Sequence, residues 1–184
     1  MRKYKIIALI GKSGSGKDRI MRECLKANPA LHEIISCTTR LPRDNETDGV
    51  NYHFVSAETF AETLLKNEML EASVFNNWCY GTPFSSLSLD DINIGVFNPT
   101  GIESLQLHKN IIDLTVYYIC VSDKERLIRQ LNREKEPNIE EIFRRYKTDE
   151  EDFYDLSDLK DITDLTNEKP HDIEKCVRTI LDNI

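Results

Sequence analysis

Lys5-Ile6-Ile7-Ala8-Leu9-Ile10-Gly11-Lys12-Ser13-Gly14-Ser15-Gly16-Lys17-Asp18 is the stretch that decides the fold. Residues 5–10 form a short, almost continuous apolar run, the pattern of a strand buried on both faces of a parallel sheet. Gly11, Gly14 and Gly16 follow, and a helix is expected from Asp18 to Ala27. Residues 11–17 match G-x-x-x-x-G-K between that strand and that helix, the context a phosphate-binding loop requires. The physical reason is the ligand. Polyphosphate is anionic and has to be desolvated, so glycines turn successive backbone N–H groups inward as a nest. The helix N-terminus adds partial positive charge, and Lys17 reaches the outer phosphates. Gly11, Ser13, Gly14, Ser15, Gly16, Lys17, Asp18 and Arg19 are the candidate ATP-binding residues. Asp18 occupies the position where a Ser or Thr usually binds Mg²⁺. A carboxylate is itself a good Mg²⁺ ligand, which makes Asp18 the candidate metal residue. Its plainer reading, as an acidic group placed at a helix start, stays open.

Outward from the loop, strands alternate with helices. Strands are expected at 33–39, 51–55, 69–75, 78–81 and 111–121. Helices are expected at 57–66 behind Ser56, from Ser122 to about Arg133, from about Ile139 to Phe153, and from Pro170 to the end. Ser122 and Glu125 have the spacing of a capping box. Ile173, Cys176, Val177, Ile180, Leu181 and Ile184 make one apolar stripe on the last helix. This alternation favours an α/β fold around a mainly parallel central sheet.

The chain has 184 residues, enough for one domain with a real core. Its formal net charge is −8, which argues against nucleic acid as a partner. The five cysteines, Cys24, Cys37, Cys79, Cys120 and Cys176, form no CxxC pair. A reducing cytoplasmic setting is expected rather than a disulfide framework or metal site. No apolar run approaches membrane-spanning length.

Beyond the loop, Ser36-Cys37-Thr38-Thr39-Arg40-Leu41-Pro42-Arg43 is followed by Glu46, Gly49, Tyr52-His53-Phe54-Val55-Ser56, Glu71 and Tyr80-Gly81-Thr82. In order and near spacing these blocks resemble the guanylate kinase family, closely over residues 4–82 and more loosely to the C-terminus. The resemblance implies a P-loop NTPase three-layer α/β sandwich, with a core of about 1–35, 83–132 and 154–184. It also implies an NMP-binding insert at about 36–82 and a helical lid at about 133–153. The implied reaction is Mg²⁺-dependent transfer of a phosphoryl group from ATP to GMP or dGMP in a monomer or homodimer. Arg40 and Arg43, with Tyr52 and Tyr80, resemble the residues that grip the monophosphate. Ser36, Glu71 and Thr82 resemble those that read guanine. One carboxylate accepts both guanine N1–H and N2–H, and a hydroxyl donates to O6. Taken singly, each has a plainer explanation: arginines at a turn, strand aromatics, a strand carboxylate facing out.

Two departures follow. The family's acidic strand end is matched here by Val96-Phe97-Asn98-Pro99-Thr100-Gly101, so Val96 and Asn98 replace acids. Asn98 keeps a carbonyl for guanine N2–H, without charge, and Asp18 is expected to replace the negative charge lost at Val96. In the lid region, Arg133 and Arg145 best match the arginines that reach the moving phosphoryl group, and Arg144 is an alternative to Arg145. Asn167 is a weaker match on the adenine side. The plainer reading of these arginines is a charged helix surface paired to Glu134, Glu140 and Glu141. Other functions stay open: a kinase of another nucleoside monophosphate or of ribose 1,5-bisphosphate, and a non-catalytic guanylate-kinase-like interaction module.

Overall fold

A computed structural model describes residues 2–43, 46–75, 77–133 and 135–184. In chain order the elements are β1 (Tyr4–Ile10), α1 (Lys17–Ala27), β2 (Leu31–Glu33), β3 (Cys37–Thr38), β4 (His53–Phe54), α2 (Ala57–Leu65), β5 (Met69–Phe75) and β6 (Trp78–Pro83). A 3₁₀ turn at Phe84–Ser86 leads to β7 (Ile92–Val96), α3 (Pro99–Leu107), β8 (Ile112–Cys120), α4 (Asp123–Leu131), α5 (Ile139–Asp152), β9 (Ile162–Thr166) and α6 (Asp172–Asp182).

The main sheet has the order β2-β7-β1-β8-β9, and every neighbouring pair is parallel. β1 lies at its centre, and its side chains alternate between two cores, as a strand's period of two requires. Ile7 and Leu9 pack with Ile20, Met21 and Cys24 of α1 and with Cys176 and Ile180 of α6. Ile6, Ala8 and Ile10 pack on the other face with Ile102 and Leu105 of α3. The result is a helix–sheet–helix sandwich with the glycine-rich loop at the C-terminal edge of its central strand, where open α/β sheets place their ligands.

A second sheet, β4-β3-β6-β5, is built from the chain between Cys37 and Pro83. Its β3–β4 pair is parallel, whereas β6 runs antiparallel to β3 and to β5. The single strand expected at 33–39 is therefore two strands in different sheets. Leu31–Glu33 pairs with β7, Ile34 N–H donates to Ile94 O, and Cys37–Thr38 pairs with β4 and β6. The chain changes sheets between them.

Other expectations shift for identifiable reasons. β7 and α3 were not anticipated, because the strand has polar Asn93 at its centre. Asn93 is fully buried, and its side chain is satisfied by Lys5 O, Ser88 O and Ser88 N–H. β9, with Thr163 and Asp164 among its five residues, carried no apolar signal either. Ser122 does accept from Glu125 N–H, but the reciprocal half of the capping box is supplied by Glu168, which accepts from Ser122 N–H and from its hydroxyl. Glu125 instead accepts from Arg129. In α6, Cys176 and Ile180 reach the core with Ile173, Val177 and Leu181 beside them, while Ile184 lies past the helix and is exposed. Among the described residues no helix is long and apolar enough to cross a membrane.

Ile180 has no exposed surface and joins α6 to α1 and the sheet. Ile180→Ala is expected to lower unfolding free energy by roughly 2–5 kcal/mol. Urea denaturation checks this as a lower midpoint at unchanged slope.

Candidate active site

The loop between β1 and α1 is built by close approach. Ser15 N–H donates to Lys12 O at 3.0 Å, closing the turn. Gly16 caps α1 with φ 88° and contributes no side-chain hydrogen bond, so the first-turn N–H groups stay available to an anion. Gly14 has φ +83°, and a Cβ there would sit 2.6 Å from Arg126 O. α4 thus lies directly on the loop, a contact that only glycine permits. From the other side Asn167, fully buried, donates from Nδ2 to Ser15 O at 2.7 Å. Arg129 donates to Ser15 O at 3.3 Å and to Asn167 O at 2.7 Å, tying the loop to the end of β9. Asn167, the weaker match on the adenine side, therefore holds the loop. Lys17 opens α1, and Asp18 and Arg19 beside it are exposed.

Behind this loop sits a buried cationic hub that spacing could not reveal. The Arg126 side chain is fully buried. Its Nε donates to Asp123 at 2.7 Å, Nη1 to Asp149 at 2.9 Å and Nη2 to Glu150 at 2.7 Å. The Tyr146 ring lies 4.0 Å from its guanidinium carbon. Asp149 in turn accepts from Ser13 N–H at 2.9 Å and Ser13 Oγ at 3.1 Å, and Glu150 pairs with Lys12 at 2.6 Å. α5 is thereby anchored to the phosphate loop through carboxylates.

The second sheet carries the other candidates. Ser36, Thr82 and Glu71 form one hydrogen-bonded chain. Thr82 Oγ1 donates to Glu71 Oε1 at 2.7 Å, and Ser36 Oγ lies 2.9 Å from Thr82 Oγ1. Thr82 has one proton, so with Glu71 ionised the Ser36 hydroxyl is the donor to Thr82. Glu71 is buried, and desolvation raises its pKa against the opposing effect of the Thr82 hydrogen bonds.

Arg40 and Arg43 differ sharply. Arg40 is buried, and its fork is already occupied: Nη1 and Nη2 donate to Glu46 at 2.8 and 2.9 Å, Nη1 also to Leu41 O at 2.7 Å, and Nε to Tyr80 Oη at 3.3 Å. The Tyr52 and Phe54 rings each lie 5.7 Å from its guanidinium carbon. The expectation of two free guanidinium forks therefore needs correcting. Arg40 offers charge and one spare N–H, while the more exposed Arg43 brings Nη2 to 3.8 Å from the Glu141 carboxylate of α5. Glu46, which also accepts from Arg43 N–H, is the positioning residue that sequence reasoning left without a role. Asn98 is also committed. Its Oδ1 accepts from Gly101 N–H at 2.8 Å as the N-cap of α3, and Nδ2 points to Ser73 Oγ at 3.4 Å. The carbonyl expected to face guanine N2–H is capping a helix.

The two halves face each other. Arg43, from the segment between β3 and β4, brings Nη2 to 3.8 Å from Glu141 of α5, and the same helix holds the loop through Asp149 and Glu150. Burial first, and then Asp18 and Tyr80, push the Tyr52 phenol up to about 12. Burial and then the guanidiniums of Arg145 and Arg40 push Arg43 below its ordinary pKa. Glu141 first, with Tyr80 and Asp149 adding, raises that of Arg144. Arg43, Arg144 and Arg145 thus gather at Glu141, and Tyr52 and Tyr80 meet edge to face in the second sheet. Arg133 lies exposed beyond α4, and no contact among the described residues joins it to this group. Glu134 lies outside the described residues. Val96 ends β7 in register with Leu9, beside the strand that feeds the loop.

Mg²⁺ in nucleotide sites is held by one or two carboxylates with phosphate oxygens and waters. The exposed Asp18 carboxylate at the mouth of the loop fits that mode. Among the described residues no group of three or more His, Cys, Asp or Glu forms a preassembled metal cage.

Removing Arg126 leaves Asp149 and its neighbours without their buried counter-charge. Arg126→Met is expected to cost about 3–5 kcal/mol. Thermal melting checks this, and Asp149→Asn in the same background should recover part of the loss.

A sequence model of the guanylate kinase family matches residues 3–182. The guanylate kinase of Trichormus variabilis is 33% identical over 144 residues, covering 77% of this chain and 72% of the relative. That of Frankia casuarinae is 34% identical over 143 residues, covering 76% and 77%. The crystal structure of guanylate kinase from Anaplasma phagocytophilum superposes with a TM-score of 0.67 at 17% identity, over 100% of this chain and 85% of that one. That last likeness establishes the shared fold. With the family pattern spanning nearly its whole length, the chain belongs to the guanylate kinase family.

Proposed function

We propose that this chain transfers the γ-phosphoryl group of ATP to GMP or dGMP. The observation that carries the reading is the opposition of two anion sites. One is the amide-lined loop with Lys17 at the start of α1; the other is Arg43 with Tyr52 and Tyr80, joined to the loop side through Glu141 of α5. A triphosphate entering from the first side and a monophosphate from the second meet between them.

The transfer is direct and in line, with no covalent enzyme intermediate. A monophosphate oxygen attacks the ATP γ-phosphorus, and the ADP oxygen leaves with the bond's electron pair. Lys17 and the loop amides hold the β and γ phosphates. Arg43 grips the monophosphate, while Arg40, locked by Glu46, adds charge from behind. Arg144 and Arg145 supply positive charge to the moving group from α5; Arg133 reaches it only by a rearrangement of the segment after α4. Catalysis is positioning plus electrostatic stabilisation. Asp18 would hold Mg²⁺, which neutralises phosphate charge when bound. Glu71 accepts N1–H and N2–H of guanine, and Ser36 and Thr82 face O6. Adenine would set a lone pair at N1 against the carboxylate, a mismatch worth on the order of 10⁴-fold in such sites. A reducing cytosol and a monomeric or homodimeric state complete the reading.

The deciding experiment measures ADP release with GMP, dGMP, AMP, CMP, UMP, dTMP and ribose 1,5-bisphosphate. GMP or dGMP is expected to lead. Equal turnover of AMP would refute the guanine assignment, and no turnover with any acceptor would leave an interaction module. Lys17→Ala should lower kcat by about 10²-fold or more at unchanged melting temperature. Glu71→Gln should cut kcat/KM for GMP by roughly 10²–10⁴-fold while leaving ATP binding intact, read by calorimetry with a non-hydrolysable analogue. Because burial raises the Glu71 pKa, the base-reading carboxylate is lost at a higher pH than an exposed glutamate would be. KM for GMP should therefore climb as pH falls toward that raised value, and this acid limb should vanish in Glu71→Gln.

A further inference from the structure

One carboxylate where α5 meets the segment between β3 and β4 collects an excess of guanidinium. Arg144 donates to both oxygens of Glu141, from Nε at 2.6 Å and Nη2 at 2.8 Å, and Arg145 donates from Nε at 2.8 Å. Arg43, from the segment between β3 and β4, brings Nη2 to 3.8 Å from the same carboxylate. The two contacts within α5 have the spacings of ordinary helix surface pairs. Arg43 does not fit that description. It comes from another part of the chain and stands close enough to Arg145 for the two guanidiniums to repel. Something anionic has to lie between them, and in this structure it is Glu141. Its surroundings hold it ionised at any assay pH, since the Arg144 and Arg145 hydrogen bonds bring it down to about 2.

A fork donated to two oxygens, with further guanidiniums around the same group, is also how arginines bind a phosphoryl group. A carboxylate has one negative charge and two acceptor oxygens; a phosphate monoester dianion has two charges and three. The phosphate is the stronger partner for the same donors. Glu141 is only half-buried, so releasing it to solvent costs little compared with stranding a buried charge.

We propose that Glu141 is an internal counter-anion: it keeps Arg43, Arg144 and Arg145 gathered where a phosphoryl group will lie, and substrate phosphate displaces it. This rests on the phosphoryl-transfer reading given above. Glu141 is then a positioning residue. It prevents mutual repulsion from scattering the arginines, at the expense of competing with the incoming anion.

Competition gives a sign that a purely structural ion pair would not. Glu141→Gln keeps the shape and removes the charge, so anions should bind more tightly. Two readouts are used on the full chain: calorimetric binding of inorganic tripolyphosphate, and KM for GMP. Both Kd and KM are expected to fall about two- to fivefold, the scale of losing a partly exposed competing ion pair. Glu141→Asp, which keeps the charge, should stay near the parent. The gap between parent and Glu141→Gln should narrow as salt is raised. Glu141→Ala is the second neutral variant and should order the same way, so a folding defect in one leaves the other to decide. Unchanged or weaker binding of tripolyphosphate and GMP in the folded neutral variants would overturn the proposal. Failure of the underlying kinase reading looks different: the parent would form no nucleoside diphosphate, and tripolyphosphate binding would still report on Glu141.

Discussion

A site proposed to hold a triphosphate against a monophosphate has to store positive charge at close quarters before any phosphate is present. Like charges a few ångströms apart repel strongly once water is partly excluded. Here the stored cations are compensated by carboxylates from the chain itself. Arg40 has Glu46, Lys12 has Glu150, Arg129 has Glu125, and Arg43, Arg144 and Arg145 share Glu141. This gives the acidic composition a local meaning. A net charge of −8 disfavours nucleic acid as a ligand, yet several of the acids stand beside the cations of the cleft.

The compensating pairs fall into two classes by burial. Arg126 is wholly enclosed, and each of its three nitrogens has a carboxylate partner, with the Tyr146 ring against the guanidinium. Breaking such a cluster strands a charge in low dielectric, so it serves as permanent framework. It fixes α4 and α5 on the glycine loop, with Asp149 fastening Ser13 and Gly14 tucked beneath Arg126. Arg40 with Glu46 belongs to the same class. Glu141 belongs to the other: half-exposed, shared and open to exchange. The difference lies in desolvation, because an arginine whose partner is solvated can change partners at small cost, whereas a buried one cannot.

What the sequence made legible follows this division. The glycine loop was readable because strand, turn and helix are contiguous and each has a local signature. The same holds for α2 behind Ser56 and for β5 and β6. The break at 34–36 was not readable. Ile34-Ile35-Ser36 carries no glycine or proline to mark a turn, and only the strands' partners, β7 on one side and β6 on the other, separate them. β7 hid because Asn93 looks like a loop residue until Lys5 and Ser88 are brought to it. Arg40 and Arg43 look equivalent three residues apart, and only the fold gives the Glu46 carboxylate to the side chain of one and sets the other beside Glu141. The burial of Arg126 depends on α5 returning over the loop, which no spacing near residue 126 encodes. Asn98 was read as a base contact because its residue type allowed it, but the start of α3 claims its oxygen first.

The chain Ser36–Thr82–Glu71 shows how such prior commitments shape selectivity in the proposed reaction. Glu71 accepts a hydrogen bond from the Thr82 hydroxyl and Thr82 accepts one from Ser36, so both hydroxyl protons are already engaged. In the proposed reaction a guanine edge would bring N–H donors to Glu71, whose two oxygens have acceptor sites for them beside the bond from Thr82. A base with no donor at N1 would set a lone pair against that carboxylate, and each buried polar group left unpaired adds to the penalty. Discrimination in this reading comes from the carboxylate being oriented by Thr82 before the substrate enters.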